Sequence, residues 1–302
     1  MLALRGKTTR YATTGGWVAD RTYSAAYTTG TWNVPRKLFM PRNSRPGVRV
    51  PLIVWYTGAP DVKGTSAVPS ICNNTSHVAA HFAADIVIAN ATTFGWAVLC
   101  VHMPGGAEYP AGPIGRRAFW ELLKADAAEY SLDLNRAILM GHSAGGAFAY
   151  QNNYQLPGFF AGVVILDQYV TYNNMGADTT GQEANNPPSS ELMDPSFSTK
   201  ALAQAEYARL AGGTPHIIVG SQEMYDLGIG DEIEDTMTAI ESAGHTVTRY
   251  TTSTAHPSFA TTEKHVQIKY TGRDHQTVAS NWYALSHTGF YDWIAARRRG
   301  EA

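Results

Sequence analysis

The sequence predicts an α/β protein built on one mainly parallel sheet with helices on both faces. Three observations predict it. Apolar runs of strand length alternate with segments of helical spacing from residue 50 to the end. Several runs are apolar without alternation (L-I-V-W-Y, A-V-L-C-V, A-I-L-M, G-V-V-I-L), which suits strands covered on both faces. Finally, Arg136 to Gly146 reads R-A-I-L-M-G-H-S-A-G-G, a short apolar strand running into a small-residue turn.

The chain has 302 residues, 44% of them hydrophobic, enough for a large core in one domain. No repeat or linker divides it, so residues 1–302 are expected to form a single domain. Net charge is −2 and the pI is near 6.5. The one dense basic run, Arg297-Arg298-Arg299, falls at the expected end of the last helix, where cations suit the dipole. It is no footprint for nucleic acid. No run of about 18 apolar residues is present to span a membrane. The start, M-L-A-L-R-G-K-T-T-R, lacks the apolar centre of a signal peptide. Cys100 lies in an apolar strand and is expected as a buried thiol, while Cys72 lies in a polar loop. The spacing of His, Cys, Asp and Glu suggests no metal cluster, and no Gly-rich phosphate loop appears. No cofactor is therefore expected. Oligomeric state is not legible.

Taken in order, residues 1–35 read as loops and edge strands. Arg36 to Arg42 reads as an edge strand stopped by Pro41. Val50 to Tyr56 is a buried strand ending in Thr57-Gly58-Ala59-Pro60. Residues 61–76 form a polar loop, and Val78 to Asn90 has helical spacing. Trp96 to Met103 is a strand, and 104–115 a Gly/Pro-rich loop. Arg117 to Tyr130 is an amphipathic helix, with Phe119, Leu122, Leu123 and Ala127 on one face. After the serine turn, Ala147 to Tyr150 continues as a buried helix and Pro157 punctuates. Ala161 to Leu166 is a strand ending at Asp167. Residues 171–200 lose periodicity and read as a loop-rich flap. Leu202 to Leu210 is helical, and H-I-I-V-G after Thr214-Pro215 is a strand. Asp231 to Ala243 is a helix with Ile233, Met237 and Ile240 in register and Gly244 as its cap. Thr246 to Thr252 and His265 to Tyr270 are two further strands, and Trp282 to Arg299 is the closing helix.

Gly141-His142-Ser143-Ala144-Gly145 fits G-x-S-x-G. A strand that turns sharply into a helix strains its turning residue, and small residues on either side let the backbones approach. The serine hydroxyl then stands at a strand's carboxyl end, where ligands of parallel sheets bind. A serine hydroxyl is a weak nucleophile. It needs a base, an acid to orient that base, and donors for a developing oxyanion. The N–H of Ala144 would be one such donor.

Four stretches carry a family likeness: P-L-I-V-W-Y-T-G-A, L-N-R-A-I-L-M-G-H-S-A-G-G, H-I-I-V-G-S-Q-E and Y-T-G-R-D-H. From about residue 36 onward the chain resembles α/β-hydrolase fold serine esterases. The nearest likeness within them is to carbohydrate-esterase, feruloyl-esterase and poly(hydroxyalkanoate)-depolymerase-like enzymes. The resemblance implies an acid three residues after the glycine ending the next-to-last strand. That is Glu223, with Asp226 and Asp167 as alternatives. It implies a base in Tyr-x-Gly-x-x-His, hence His275. His256 is the rival, and it wins if the last two strands form an antiparallel hairpin. The second oxyanion donor would come from Thr57-Gly58-Ala59, as the N–H of Ala59. The family usually has His-Gly in that loop. His142, Tyr56 and Tyr169 are candidate substrate contacts, and Trp55, Tyr109 and Tyr172 lie near the same loops.

The implied function is hydrolysis of carboxylic esters through an acyl-enzyme. The lack of a dominant charge points to neutral acyl groups, such as acetyl or feruloyl esters. A small-molecule or polymer-linked ester is thus the expected partner. A polyester depolymerase, a serine peptidase of the same fold and a catalytically inactive binding scaffold are the competing expectations.

Overall fold

The computed structural model describes residues 16–27, 30–41, 44–45, 47–56, 91, 93–101, 123–168, 200–228, 230–253, 257–258, 260–274 and 288–300. Nine strands form one sheet in the order β1-β2-β4-β3-β5-β6-β7-β9-β8. They are β1 (Gly16–Tyr27), β2 (Gly30–Met40), β3 (Val50–Tyr56), β4 (Ala97–Val101), β5 (Leu132–His142), β6 (Gly162–Leu166), β7 (His216–Ser221), β8 (Val247–Thr252) and β9 (His265–Tyr270). Strand β2 is antiparallel to β1 and to β4; every other pairing is parallel.

Among the described residues the helices α1 (Ala144–Gln155), α2 (Lys200–Ala211), α3 (Gln222–Asp226), α4 (Gly230–Ser242) and α5 (Thr288–Ala295) accompany them. Residues 123–130 are helical as well. The period-2 geometry of a strand sends neighbouring side chains to opposite faces. In β3, Leu52, Val54 and Tyr56 join the core under α1, α2 and α4, where Tyr150, Tyr207 and Ile233 pack. Ile53 and Trp55 join the opposite core with Phe290 and Trp293 of α5. Both faces are therefore covered, and this is why the central strands are apolar at every position.

The structure corrects two sequence expectations. Residues 36–40 are no edge strand: they belong to β2, which lies between β1 and β4. The true edge is β1, whose Thr-, Tyr- and Gly-containing sequence pairs through backbone groups and needs no apolar signature. The last helix ends at Ala295 rather than Arg299. Arg298 donates to the Ala295 carbonyl at 2.6 Å, and Arg297 donates to that of Trp293 at 3.2 Å and to that of Thr261. The cations thus cap the helix from beyond its end. Cys100 is a buried free thiol. The expected helix 78–90, the flap 171–200 and Cys72 fall outside the described residues, as do helix residues 117–122.

At the amino ends of β7 and β9 lie His216 and His265, both buried, with ring centroids 5.7 Å apart. The His245 ring lies tilted against that of His265, with centroids 5.1 Å apart. The Tyr207 hydroxyl lies 2.6 Å from His216 Nε2, and Asn153 donates to that hydroxyl at 2.9 Å. Burial lowers the pKa of His216 to about 3 and that of His265 to about 2. The cations Lys264 and Arg297 lower the His265 pKa further. In the unfolded chain both imidazoles titrate near 6.5. The folded state keeps them neutral, so their contribution is complete above about pH 6.5 and falls away as pH drops towards the folded values. The urea midpoint is therefore expected to be flat above about pH 6.5 and to fall between about pH 6.5 and 3, and His265→Phe is expected to flatten that slope.

Candidate active site

Strand β5 ends at His142, and α1 begins at Ala144. Ser143 is the single residue between them, at φ 52° and ψ −129°. A non-glycine residue in that region carries roughly 1–3 kcal/mol of strain. Neighbouring backbone holds it there. Ser143 N–H donates to Leu166 O of β6 at 2.9 Å. Ser143 O accepts from Gly146 N–H at 2.8 Å and from Gln168 Nε2 at 3.1 Å.

A serine before a helix usually caps it by accepting an N–H of the first turn. The Ser143 side chain makes no such cap bond. The strained φ carries the hydroxyl away from the helix start. The first turn of α1 holds no acidic residue, so the helix's positive end faces the serine without a compensating carboxylate.

The glycines here are steric requirements. A Cβ on Gly141 would lie 2.3 Å from the Gly145 carbonyl oxygen, and one on Gly146 would lie 2.7 Å from Gln168 Cβ. Gly146 lies outside the five-residue pattern, and Gln168 was not anticipated from sequence.

Strand registers bring the other parts to the same edge. Tyr56 pairs with Gly141, His142 with Leu166, and Leu166 with Val219. Ser221 and Thr252 both pair with Tyr270. The carboxyl ends of β3, β5, β6, β7, β9 and β8 therefore line one edge. The hairpin condition that would have favoured His256 is absent, because β8 and β9 are parallel. His256 and His275 themselves lie outside the described residues, as do Ala59 and Tyr169.

The three carboxylates differ in setting. Asp167 is fully buried at φ 58°. Its Oδ1 accepts from Ser221 N–H and its Oδ2 from Ser221 Oγ–H, each at 2.6 Å. Glu223 is exposed in the first turn of α3, and its backbone N–H donates to Arg273 O at 3.3 Å. Asp226 is exposed at the last residue of α3 and accepts from Gln222 Nε2 at 2.7 Å. Ser221 caps α3, accepting from Met224 N–H at 3.3 Å.

Two residues expected to touch substrate are buried. Tyr56 is fully buried, and its hydroxyl accepts from Asn152 Nδ2 of α1 at 3.1 Å. His142 is 2% exposed. The last residue of a buried strand is covered when a helix starts directly above it, and sequence does not report that cover. Among the described residues no group of His, Cys, Asp and Glu is arranged to hold a metal ion, and no helix is long and apolar enough to cross a membrane.

No family model matches the chain, and no curated protein matches it either. Solved structures do. A thermostable esterase superposes at a TM-score of 0.56 with 14% identity, over 93% of this chain and 63% of its own. A putative dipeptidyl aminopeptidase IV from Bacteroides ovatus gives 0.58 with 13% identity, over 93% of this chain and 36% of its own. An S-formylglutathione hydrolase from Agrobacterium tumefaciens gives 0.54 with 14% identity, over 94% of this chain and all of its own. This chain thus spans less than two thirds of the first two. The chain has the α/β-hydrolase fold.

Gly141→Ala is expected to force the strand–helix junction apart and to destabilise the protein by roughly 1–3 kcal/mol or more. Gly162→Ala meets only the terminal methyl of Ile138 at 3.2 Å and two Trp293 ring atoms at 3.4 Å, and is expected to cost less. Urea midpoints of the two variants check the difference.

Proposed function

We propose that this chain is a serine hydrolase that cleaves carboxylic esters through an acyl-enzyme, with Ser143 as nucleophile. One observation carries the reading: a serine held at positive φ between a buried strand and a helix, its side chain making no cap bond to that helix. Ser143, with the glycines that crowd it, reads as a nucleophile elbow.

The base in this reading is His275. Strands in a sheet are spaced about 4.8 Å apart. From β5, the end of β9 is three strands away, or ~14 Å, and the end of β8 four, or ~19 Å. His275 lies five residues beyond Tyr270, a reach of up to ~17 Å; His256 lies four beyond Thr252, up to ~14 Å. Only the first reach exceeds its gap. The bond from Glu223 N–H to Arg273 O also ties that loop towards β7, on the Ser143 side of β9. The same bond holds Glu223 beside Arg273, two residues before His275, which supports Glu223 over Asp226 as the acid that orients it.

In the reaction, His275 takes the Ser143 proton as Oγ attacks the ester carbonyl. The oxyanion is held by the N–H groups of Ala144 and Ala59. The alcohol leaves with the proton from His275. Water, activated by the same imidazole, then releases the acid. A neutral acyl ester of the acetyl or feruloyl kind, free or attached to a polymer, suits the near-zero net charge. The full-length superposition on an S-formylglutathione hydrolase, against 36% of the aminopeptidase, supports ester over peptide cleavage.

Hydrolysis of 4-nitrophenyl acetate is expected to fall by about 10³-fold or more in Ser143→Ala and in His275→Ala, and to stay within a few-fold of wild type in His256→Ala. A peptide anilide is expected to remain uncleaved. Wild-type turnover by Ser143→Ala would overturn the nucleophile assignment, and collapse of His256→Ala with an active His275→Ala would move the base to His256.

A further inference from the structure

Ser143 and α3 are both fastened to the same three residues. Leu166, Asp167 and Gln168 follow directly on β6. Leu166 O accepts the Ser143 N–H, and Gln168 Nε2 donates to Ser143 O. Both backbone polar groups of the strained serine are therefore tied to the residues flanking Asp167.

Asp167 faces the other way. Its N–H donates to Val219 O at 2.7 Å. Its carboxylate spans to the end of β7, with one oxygen on Ser221 N–H and the other on Ser221 Oγ–H. The Ser221 hydroxyl in turn accepts the Met224 N–H and so starts α3. Tyr225, in the same short helix, packs where a Cβ on Gly220 or Gly230 would collide with it. The helix that carries Glu223 is thus hung from Ser221, and Ser221 is held by Asp167.

A residue that must sit at φ 58° inside a protein is most cheaply glycine or asparagine. Here it is an aspartate, 0% exposed, and Ser221 donates to both of its carboxylate oxygens. A buried carboxylate is kept only where such donors compensate it. What it does in return is fix a separation: the ends of β6 and β7 cannot spread or slide without breaking two short bonds.

We infer that Asp167 is a positioning residue that aligns the two halves of the site. Acting through Ser221, it sets where α3 and Glu223 stand relative to the Ser143 turn. This rests on the serine-hydrolase reading above. It gives Asp167 a part in the frame of the site, beside the orienting acid that the reading above assigns to Glu223.

The test compares Asp167→Ala, Asp167→Asn and Ser221→Ala with wild type. The readouts are the rate of inactivation by a fluorophosphonate, kcat and KM for 4-nitrophenyl acetate, and the pH dependence of kcat/KM. Asp167→Ala and Ser221→Ala are expected to slow inactivation and lower kcat by ~10–100-fold, the scale of a small misplacement, with KM little changed. Asp167→Asn keeps an oxygen for Ser221 N–H and an amide for Ser221 Oγ. It is expected to recover to within about threefold of wild type, on the scale of one weakened hydrogen bond, with the acidic limb of the profile in place. An Asp167→Asn protein as impaired as Asp167→Ala, with that limb displaced, would make Asp167 the acid itself and overturn the inference. If Asp167→Ala does not fold, Ser221→Ala decides alone: inactivation at the wild-type rate overturns the inference. A wild type that the fluorophosphonate fails to label overturns the nucleophile assignment first and this inference with it. A labelled wild type with equally reactive Ser221→Ala overturns only the positioning role.

Discussion

The constraint on which the rest of this structure depends is the positive φ of Ser143. Left to itself, a serine between a strand and a helix would adopt extended backbone and cap the helix with its own hydroxyl. Holding it at φ 52° requires that something else satisfy its N–H and C=O and that nothing fill the space beside it. Leu166 O, Gly146 N–H and Gln168 Nε2 do the first. The missing Cβ atoms of Gly141 and Gly146 do the second. The strain is stable because β6 is in register with β5 at that point, His142 opposite Leu166. Shift that register by one residue and the accepting carbonyl points to the wrong side.

The two edges of the sheet have opposite chemical characters. At the carboxyl edge, chain ends that would otherwise carry unpaired backbone groups are closed by polar side chains: Gln168 on Ser143, Asp167 on Ser221, Ser221 on α3. At the amino edge of β7 and β9, two imidazoles are held neutral by burial. One edge gathers hydrogen-bond donors and a helix's positive end, a setting that stabilises negative charge. The other is a reservoir of stability that depends on the absence of a proton. Acid would thus weaken the frame from the edge remote from Ser143.

The fold was legible in the sequence where burial is two-sided, because such strands spell continuous apolar runs: β3, β4, β6 and the core of β5 announce themselves in this way. Direction was not legible. V-T-R-Y-T-T and H-V-Q-I-K-Y alternate in the same way whether the strands run parallel or as a hairpin, and the choice between His256 and His275 turned on that. Strand β2 was misjudged as an edge because its outer partner, β1, pairs by backbone hydrogen bonds and has no apolar run to reveal it. At the site, G-x-S-x-G marked the serine because the pattern is itself a steric demand. Asp167 and Ser221 left a fainter trace: an aspartate just after a core strand, and a serine just before Q-E-M, where an N-cap belongs. That they bond to each other across 54 positions is a fact of strand order, not of local sequence.

The placement of the carboxylates shows why spacing alone could not rank them. Asp167, Glu223 and Asp226 all follow strands that end on the right edge. What separates them is what each is already bonded to, and where it sits on its helix. Asp167 spends both oxygens on Ser221 and holds the frame. Asp226 ends α3 and is tied to Gln222. Glu223 sits in the first turn, and its N–H donates to the carbonyl of Arg273, two residues before His275. In the proposed reading Glu223 orients His275, and Asp167 and Ser221 fix where the turn that carries Glu223 begins.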